Sequence, residues 1–173
     1  MNNRLFLTLS MICLITHAIR TIYEIMKHRK LLKPGTLSFI IVFLDMILLW
    51  ISWFVLCSLD IHRLILPAII RYSGISLVLL VVITFLSGLF TIKTLESYEG
   101  ELITRGIYSK IRHPMYLGFL LWLIGFPVFY GTLYLLIFSF FFSLNIFYWR
   151  YLEEMELEKR FPMYHEYKKS TLF

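Results

Sequence analysis

Between Arg105 and Gly118 the chain reads R-G-I-Y-S-K-I-R-H-P-M-Y-L-G, which sets Arg105, Lys110 and Arg112, one imidazole and two phenols between strongly apolar stretches. A loop at a membrane interface needs positive charge and at most a tyrosine; it does not need Arg112, His113, Pro114 and Tyr116 in that order. A second polar run, R-Y-L-E-E-M-E-L-E-K-R-F-P-M-Y-H-E-Y-K-K, starts at Arg150 directly after the apolar stretch Leu133 to Tyr148. Arg150 and Glu154 are four residues apart and share a helix face, while Glu153, Leu157 and Phe161 share the neighbouring one. An arginine–carboxylate pair at membrane depth either fixes an anionic or amino group of a substrate or merely neutralises itself. Ionisable groups at the edge of hydrocarbon are costly unless paired, so both runs are site candidates. Simpler readings exist for single residues. Snorkelling accounts for Arg112 and His113, an aromatic belt for Tyr116, and ion pairs on a solvated helix for Glu156, Glu158, Lys159 and Arg160.

The elements that hold these residues lie in a solvent that composition fixes. Of 173 residues, 59% are hydrophobic, 18% aromatic and 16% charged, with a mean hydropathy of +0.75. Soluble domains carry roughly a quarter charged residues, so this is a polytopic membrane chain. Its length allows a single unit over residues 1–173, with three spans in 1–92 and a catalytic half in 93–173. Leu5 to Ile19 is apolar, and its helix continues through Arg20 and Glu24 to the basic cluster Lys27, Arg29, Lys30 and Lys33. Leu37 to Leu59, interrupted only by Asp45, is the second span and Ser73 to Ile92 the third. Met115 to Tyr130 and Leu133 to Tyr148 are two more, joined by Gly131-Thr132, a link short enough to force an antiparallel hairpin. The fold expected is an all-α bundle of about five transmembrane helices, with a C-terminal helix covering a pocket. Pro114 favours a first helical turn, which puts His113 at the N-cap of the fourth span with its imidazole among unpaired backbone N–H groups. Three residues on, Tyr116 shares that side. Cys13 and Cys57 lie inside apolar runs and read as small buried hydrophobes. No small-xxx-small pattern dominates a span, so oligomeric state is not legible.

The net charge of +6 forms no continuous basic face and so gives no sign of a nucleic-acid partner. Alternating the spans puts 14 Lys and Arg residues on one side, against Arg4, Arg63 and Arg71 on the other. The positive-inside rule then makes the Arg105 and Arg150 runs cytosolic and the N-terminus external. The tight hairpin returns both runs to one interface.

The pattern G-x-Y-x-x-x-R-H-P-x-Y-x-G over Gly106 to Gly118, an apolar hairpin, and R-x-x-E-E-x-x-L-x-x-x-F-x-x-Y-x-x-Y over Arg150 to Tyr167 together resemble the isoprenylcysteine carboxyl methyltransferase family. That family shares its C-terminal half with the membrane phospholipid N-methyltransferases. The resemblance runs from Leu102 to the end; the first three spans share only their apolar character. It implies methyl transfer from S-adenosylmethionine at the cytosolic interface, in a pocket built from the two motifs. By resemblance, His113, Pro114 and Tyr116, with the chain from Leu102 through Gly106 to Tyr108, hold the cofactor, and Tyr164 and Tyr167 close over it. Arg150 and Glu154 then lie at the reacting group. Pro162 departs from the family, which usually has Gly there, and this bears on the path of the last helix.

A methyl sulfonium is already activated, so transfer needs alignment and exclusion of water, with no metal. A carboxylate acceptor needs a positioning cation such as Arg150 or Arg112. An amine acceptor needs a base, for which Glu153 or Glu154 serves if its pKa is raised. The lipophilic acceptor reaches the site from the bilayer, between spans. Two other classes share some of these features: a sterol-reductase-like enzyme using a nicotinamide cofactor, which has a related R-H-P-x-Y stretch, and a non-enzymatic membrane protein.

Overall fold

In hydrocarbon every backbone N–H and C=O must be satisfied within its own segment, so apolar runs of this length become helices. The structure, a computed structural model, describes residues 3–60, 62–92 and 101–173. There the chain folds as α1 (Asn3–His28), α2 (Thr36–Leu59), α3 (Ala68–Ile92), a 3₁₀ turn η1 (Gly106–Ser109), α4 (Pro114–Tyr130), α5 (Leu133–Arg160) and α6 (Tyr164–Ser170). The start of the central polar stretch, residues 93–100, lies outside the described residues. The result is a polytopic helix bundle. Helices α1, α2, α3 and α5 are long and apolar enough to cross a membrane. The fourth apolar helix is shorter than the others: its 17 residues span about 25 Å, less than a ~30 Å hydrocarbon core.

Helix α5 is longer than its apolar stretch. The polar segment after Tyr148 continues the same helix, unbroken, to Arg160. Arg150 and Glu154 therefore ride on a rigid extension of a span and need no loop to place them.

The tightest packing joins α3 and α4. A Cβ at Gly74 would lie 2.6 Å from the Gly125 carbonyl oxygen, and one at Gly125 would lie 2.8 Å from that of Gly74. Gly88 packs on Pro114 and Met115, and Gly118 on Thr84 and Phe85. These glycines recur at intervals of seven and fourteen, which is why a search for spacing four does not find them. Across α4 and α5, the Ser139 hydroxyl donates to the Leu123 carbonyl at 2.6 Å, a polar tie of the kind that serves where apolar burial gives no drive. The core between α2, α4 and α5 holds Leu49, Trp53, Leu56, Leu123, Leu135, Phe142 and Ile146. Cys13 and Cys57 are free and buried, as their apolar settings predict.

At the end remote from the polar runs, the hairpin tip is pinned to the link before α3. Gly131 caps α4 in the left-handed region, φ 67°, where its carbonyl accepts from Leu64 N at 2.7 Å. The Asp60 carboxylate accepts from the backbone N–H of His62 and of Tyr134, the latter in the first turn of α5. Arg63 donates to the carbonyls of Cys57, Ser58 and Tyr130, and Arg71 to that of Phe129. Both cations thus neutralise helix C-termini, where the macrodipole favours positive charge.

Candidate active site

At the opposite end the two polar runs meet. Gly106 opens η1 with φ 60°, and the strand-like link after η1 pairs with the last residues of the chain. Arg112 N donates to Leu172 O at 3.0 Å, His113 N to Phe173 O at 3.2 Å, and Leu172 N to Lys110 O at 2.7 Å. The Arg112 guanidinium donates from Nη1 to the carbonyls of Lys168 (2.8 Å) and Thr171 (2.6 Å), closing the C-terminus of α6. The tail therefore straps the N-terminus of α4.

Glu154 is the hub of this joint. Its side chain, with the residue 7% exposed, has Arg150 Nε at 3.3 Å, Arg112 Nε at 3.4 Å, His113 Nε2 at 3.4 Å and Lys168 Nζ at 2.8 Å. The imidazole contact has ion-pair distance without hydrogen-bond geometry, which leaves His113 Nε2 buried and unpartnered. The carboxylates of Glu154 first and Glu158 second hold the Lys168 ammonium above its ordinary value.

His113 does occupy the N-cap of α4, but the expectation for its side chain is corrected: it makes no capping hydrogen bond. The ring turns instead toward α5, where Glu153 Oε2 lies 3.7 Å from Nδ1. A full carboxylate charge outcompetes the partial charges of a helix end. Tyr116 stacks on the imidazole with ring centroids 5.6 Å apart. From α6, the Tyr167 hydroxyl donates to the Tyr108 carbonyl at 2.6 Å. Burial pushes the Tyr167 phenol up to about 12 and raises those of Tyr108 and Tyr164 as well, so all three stay protonated. The Tyr108 and Tyr164 hydroxyls are buried without a partner.

A cavity of about 270 Å³ opens beside this joint. Its polar end is lined by Tyr108, Arg112, His113, Pro114, Tyr116 and Glu153, with Arg20, Tyr23 and Lys27 from α1. Its apolar arm is walled by one face of α2 and by Phe85, Leu89, Met115 and Phe119. Leu102, Gly106, Arg150, Glu154, Tyr164 and Tyr167 are not among its lining residues. Reading the motifs alone misses the α1 contribution. Glu24 is fully buried between Arg20, which it contacts directly, and Lys27 at 2.8 Å; His28 bridges Glu24 to Glu156 of α5. The signal was in the sequence, since Arg20, Glu24 and Lys27 share one helical face.

Two motifs converging on one amphipathic cavity accord with the independent comparison of the whole chain. Residues 61–159 match the family model described as isoprenylcysteine carboxyl methyltransferase. The chain belongs to that family. No curated protein and no solved structure matches it significantly. The match to the isoprenylcysteine carboxyl methyltransferase family starts before α3, so the third span is part of the shared segment and not merely apolar filling. It stops before α6, and α1 and α2 precede it. Membership makes this an integral membrane protein of a methyltransferase family. Half of the cavity is built by the shared segment and half by helices outside it.

Proposed function

We propose that this protein transfers a methyl group from S-adenosylmethionine to the carboxylate of a lipophilic, isoprenylcysteine-like acceptor at the cytosolic face of the membrane. The observation that carries this reading is the lining of the cavity: charged and phenolic at one end, wholly apolar at the other. The polar end fits the cofactor by its donor set. Arg20, Lys27 and Arg112 suit a carboxylate; Glu153 suits an ammonium or sulfonium; Tyr23, Tyr108 and Tyr116 offer ring faces to a cation or a purine. The unpartnered Tyr108 hydroxyl leaves hydrogen-bonding capacity for a polar ligand. When bound, the cofactor supplies an activated methyl, so that the acceptor oxygen forms its bond to carbon as the S–CH₃ bond breaks and its electrons return to sulfur.

What remains for the chain is positioning and exclusion of water. Arg112 and Glu153 reach the cavity, whereas Arg150 and Glu154 act from behind its wall by fixing Arg112 and His113. Tyr164 and Tyr167 close the joint from α6. The single apolar arm suits one chain and so favours a prenyl acceptor over a two-chain phospholipid. One observation supports an amine acceptor as second reading: Glu153, with its side chain 41% exposed, lines the cavity as a carboxylate where such an acceptor would need a base. Basic charge concentrated at this end of the bundle supports a cytosolic setting for it, with the N-terminus outside.

The deciding experiment gives purified protein S-adenosylmethionine carrying a labelled methyl, with N-acetyl-S-farnesylcysteine in one arm and phosphatidylethanolamine in the other. Base-labile label on the prenylcysteine is expected. Label on the phospholipid alone would establish the amine reading, and label on neither would overturn both.

A further inference from the structure

The apolar arm has a floor. Along α2 the cavity-facing residues Phe39, Val42, Phe43, Met46, Ile47 and Trp50 form one helical stripe. Tyr23 of α1 packs with Val42 and Met46, which sets the polar end level with Val42. From there to Trp50 is eight residues, an axial distance of about 12 Å. At that depth the Trp50 ring meets Phe85 of α3 at 5.8 Å and Phe119 of α4 at 5.9 Å, with Trp122 at 6.5 Å beneath. Trp122 in turn packs on Trp53, which is fully buried. Aromatic rings from three helices thus end the arm, and no lining residue of α2 lies beyond Trp50.

We propose that Trp50 is the length gauge of this protein, the residue that sets the longest apolar chain its acceptor can carry. The inference rests on the cavity taking a lipophilic methyl acceptor. Phe85, Phe119 and Trp122 lie within the segment matched to the family, residues 61–159, while α2 and Trp50 lie before it. One wall of the arm, with Phe85, Leu89, Met115 and Phe119, therefore comes from the matched segment, while the facing wall and Trp50 come from α2, which precedes it. A rigid indole sets a limit because packed interiors yield little: extending a chain against it forces off-rotamer side chains or a backbone shift.

The test is a series of acceptors with one head, N-acetylcysteine carrying geranyl, farnesyl or geranylgeranyl chains, assayed with wild type, Trp50→Ala, Trp50→Phe and Leu48→Ala. Leu48 is exposed on the far side of α2 and serves as control. Removing the indole should raise kcat/KM for the longer chains relative to the shortest by about tenfold or more, the scale on which apolar pockets discriminate added carbons. Trp50→Phe, which keeps a ring and the packing, should shift the same ratio less, and it carries the test should the alanine variant fail to fold. The Leu48→Ala ratio should equal that of wild type. Wild-type turnover with a length ratio unmoved by either Trp50 variant overturns this inference alone. Absence of transfer to every member by the wild type overturns the parent reading, and this one with it.

Discussion

Adjacent carboxylates on α5 have opposite settings, and the contrast separates structure from chemistry. Glu154 is enclosed by Arg112, Arg150, His113 and Lys168; Glu153 points into the cavity beside His113 and Tyr116. Breaking a buried ion pair by removing one partner costs about 3 to 5 kcal/mol, because charge is left uncompensated. Glu154→Ala should therefore lower thermal stability by roughly that amount and weaken cofactor binding and turnover together, since α6 and the tail lose their anchor. Glu153→Gln should leave the melting temperature nearly unchanged and lower turnover about tenfold or more, on the scale of a positioned polar group. Thermal unfolding in detergent, run beside the methyl-transfer assay, reads both; matching losses of stability in the two variants would contradict the division. The Arg150–Glu154 pair was legible from its spacing alone. The convergence of Arg112, His113 and Lys168 on the same carboxylate was not, because those residues lie on other elements.

At the scale of elements, the pairing of α3 with α4 decides where the R-H-P-M-Y segment sits. A methyl group at Gly125 would lie 2.8 Å from a backbone oxygen, and one at Gly74 would lie 2.6 Å from both a backbone oxygen and a backbone nitrogen. Neither neighbour is the end of a flexible side chain, so the helices must part. Helix propensity alone would favour alanine by up to about 1 kcal/mol, but overpacking costs about 1 to 3 kcal/mol, so clash wins. Gly74→Ala and Gly125→Ala are each expected to destabilise the protein by a net of up to about 2 kcal/mol and to reduce activity through a displaced α4. Gly35→Ala, which meets nothing within 4 Å, is the control. Differential scanning fluorimetry of the three variants checks the order. The glycines are visible in the sequence; that they face each other is a fact of helix phase and register.

For the whole molecule, charge predicts an orientation. The 14 basic residues on one side against three on the other predict that the active-site end is cytosolic. Both native cysteines are buried, Cys13 at 1% and Cys57 at 0% exposure, so single cysteines introduced elsewhere report without background. In intact cells an impermeant maleimide should label Tyr72→Cys, near the opposite end, and leave Lys159→Cys unlabelled until the membrane is opened. The reverse pattern would invert the predicted topology.

The sequence by itself determined the solvent, the all-helical class, the antiparallel hairpin, the N-cap position of His113 and the two motifs that carry the family. These are local properties: apolar run length, a two-residue link, a proline's fixed φ and residue types at fixed spacing each act within one segment. The tertiary structure decided which carboxylate faces the cavity and where the His113 ring points. It also brought α1's Arg20 and Lys27 to the site and placed Trp50 at the bottom of the apolar arm. Each of these depends on the rotation and register of one helix against another. Interlocking side chains from several segments set that packing together, and no single segment's pattern contains it.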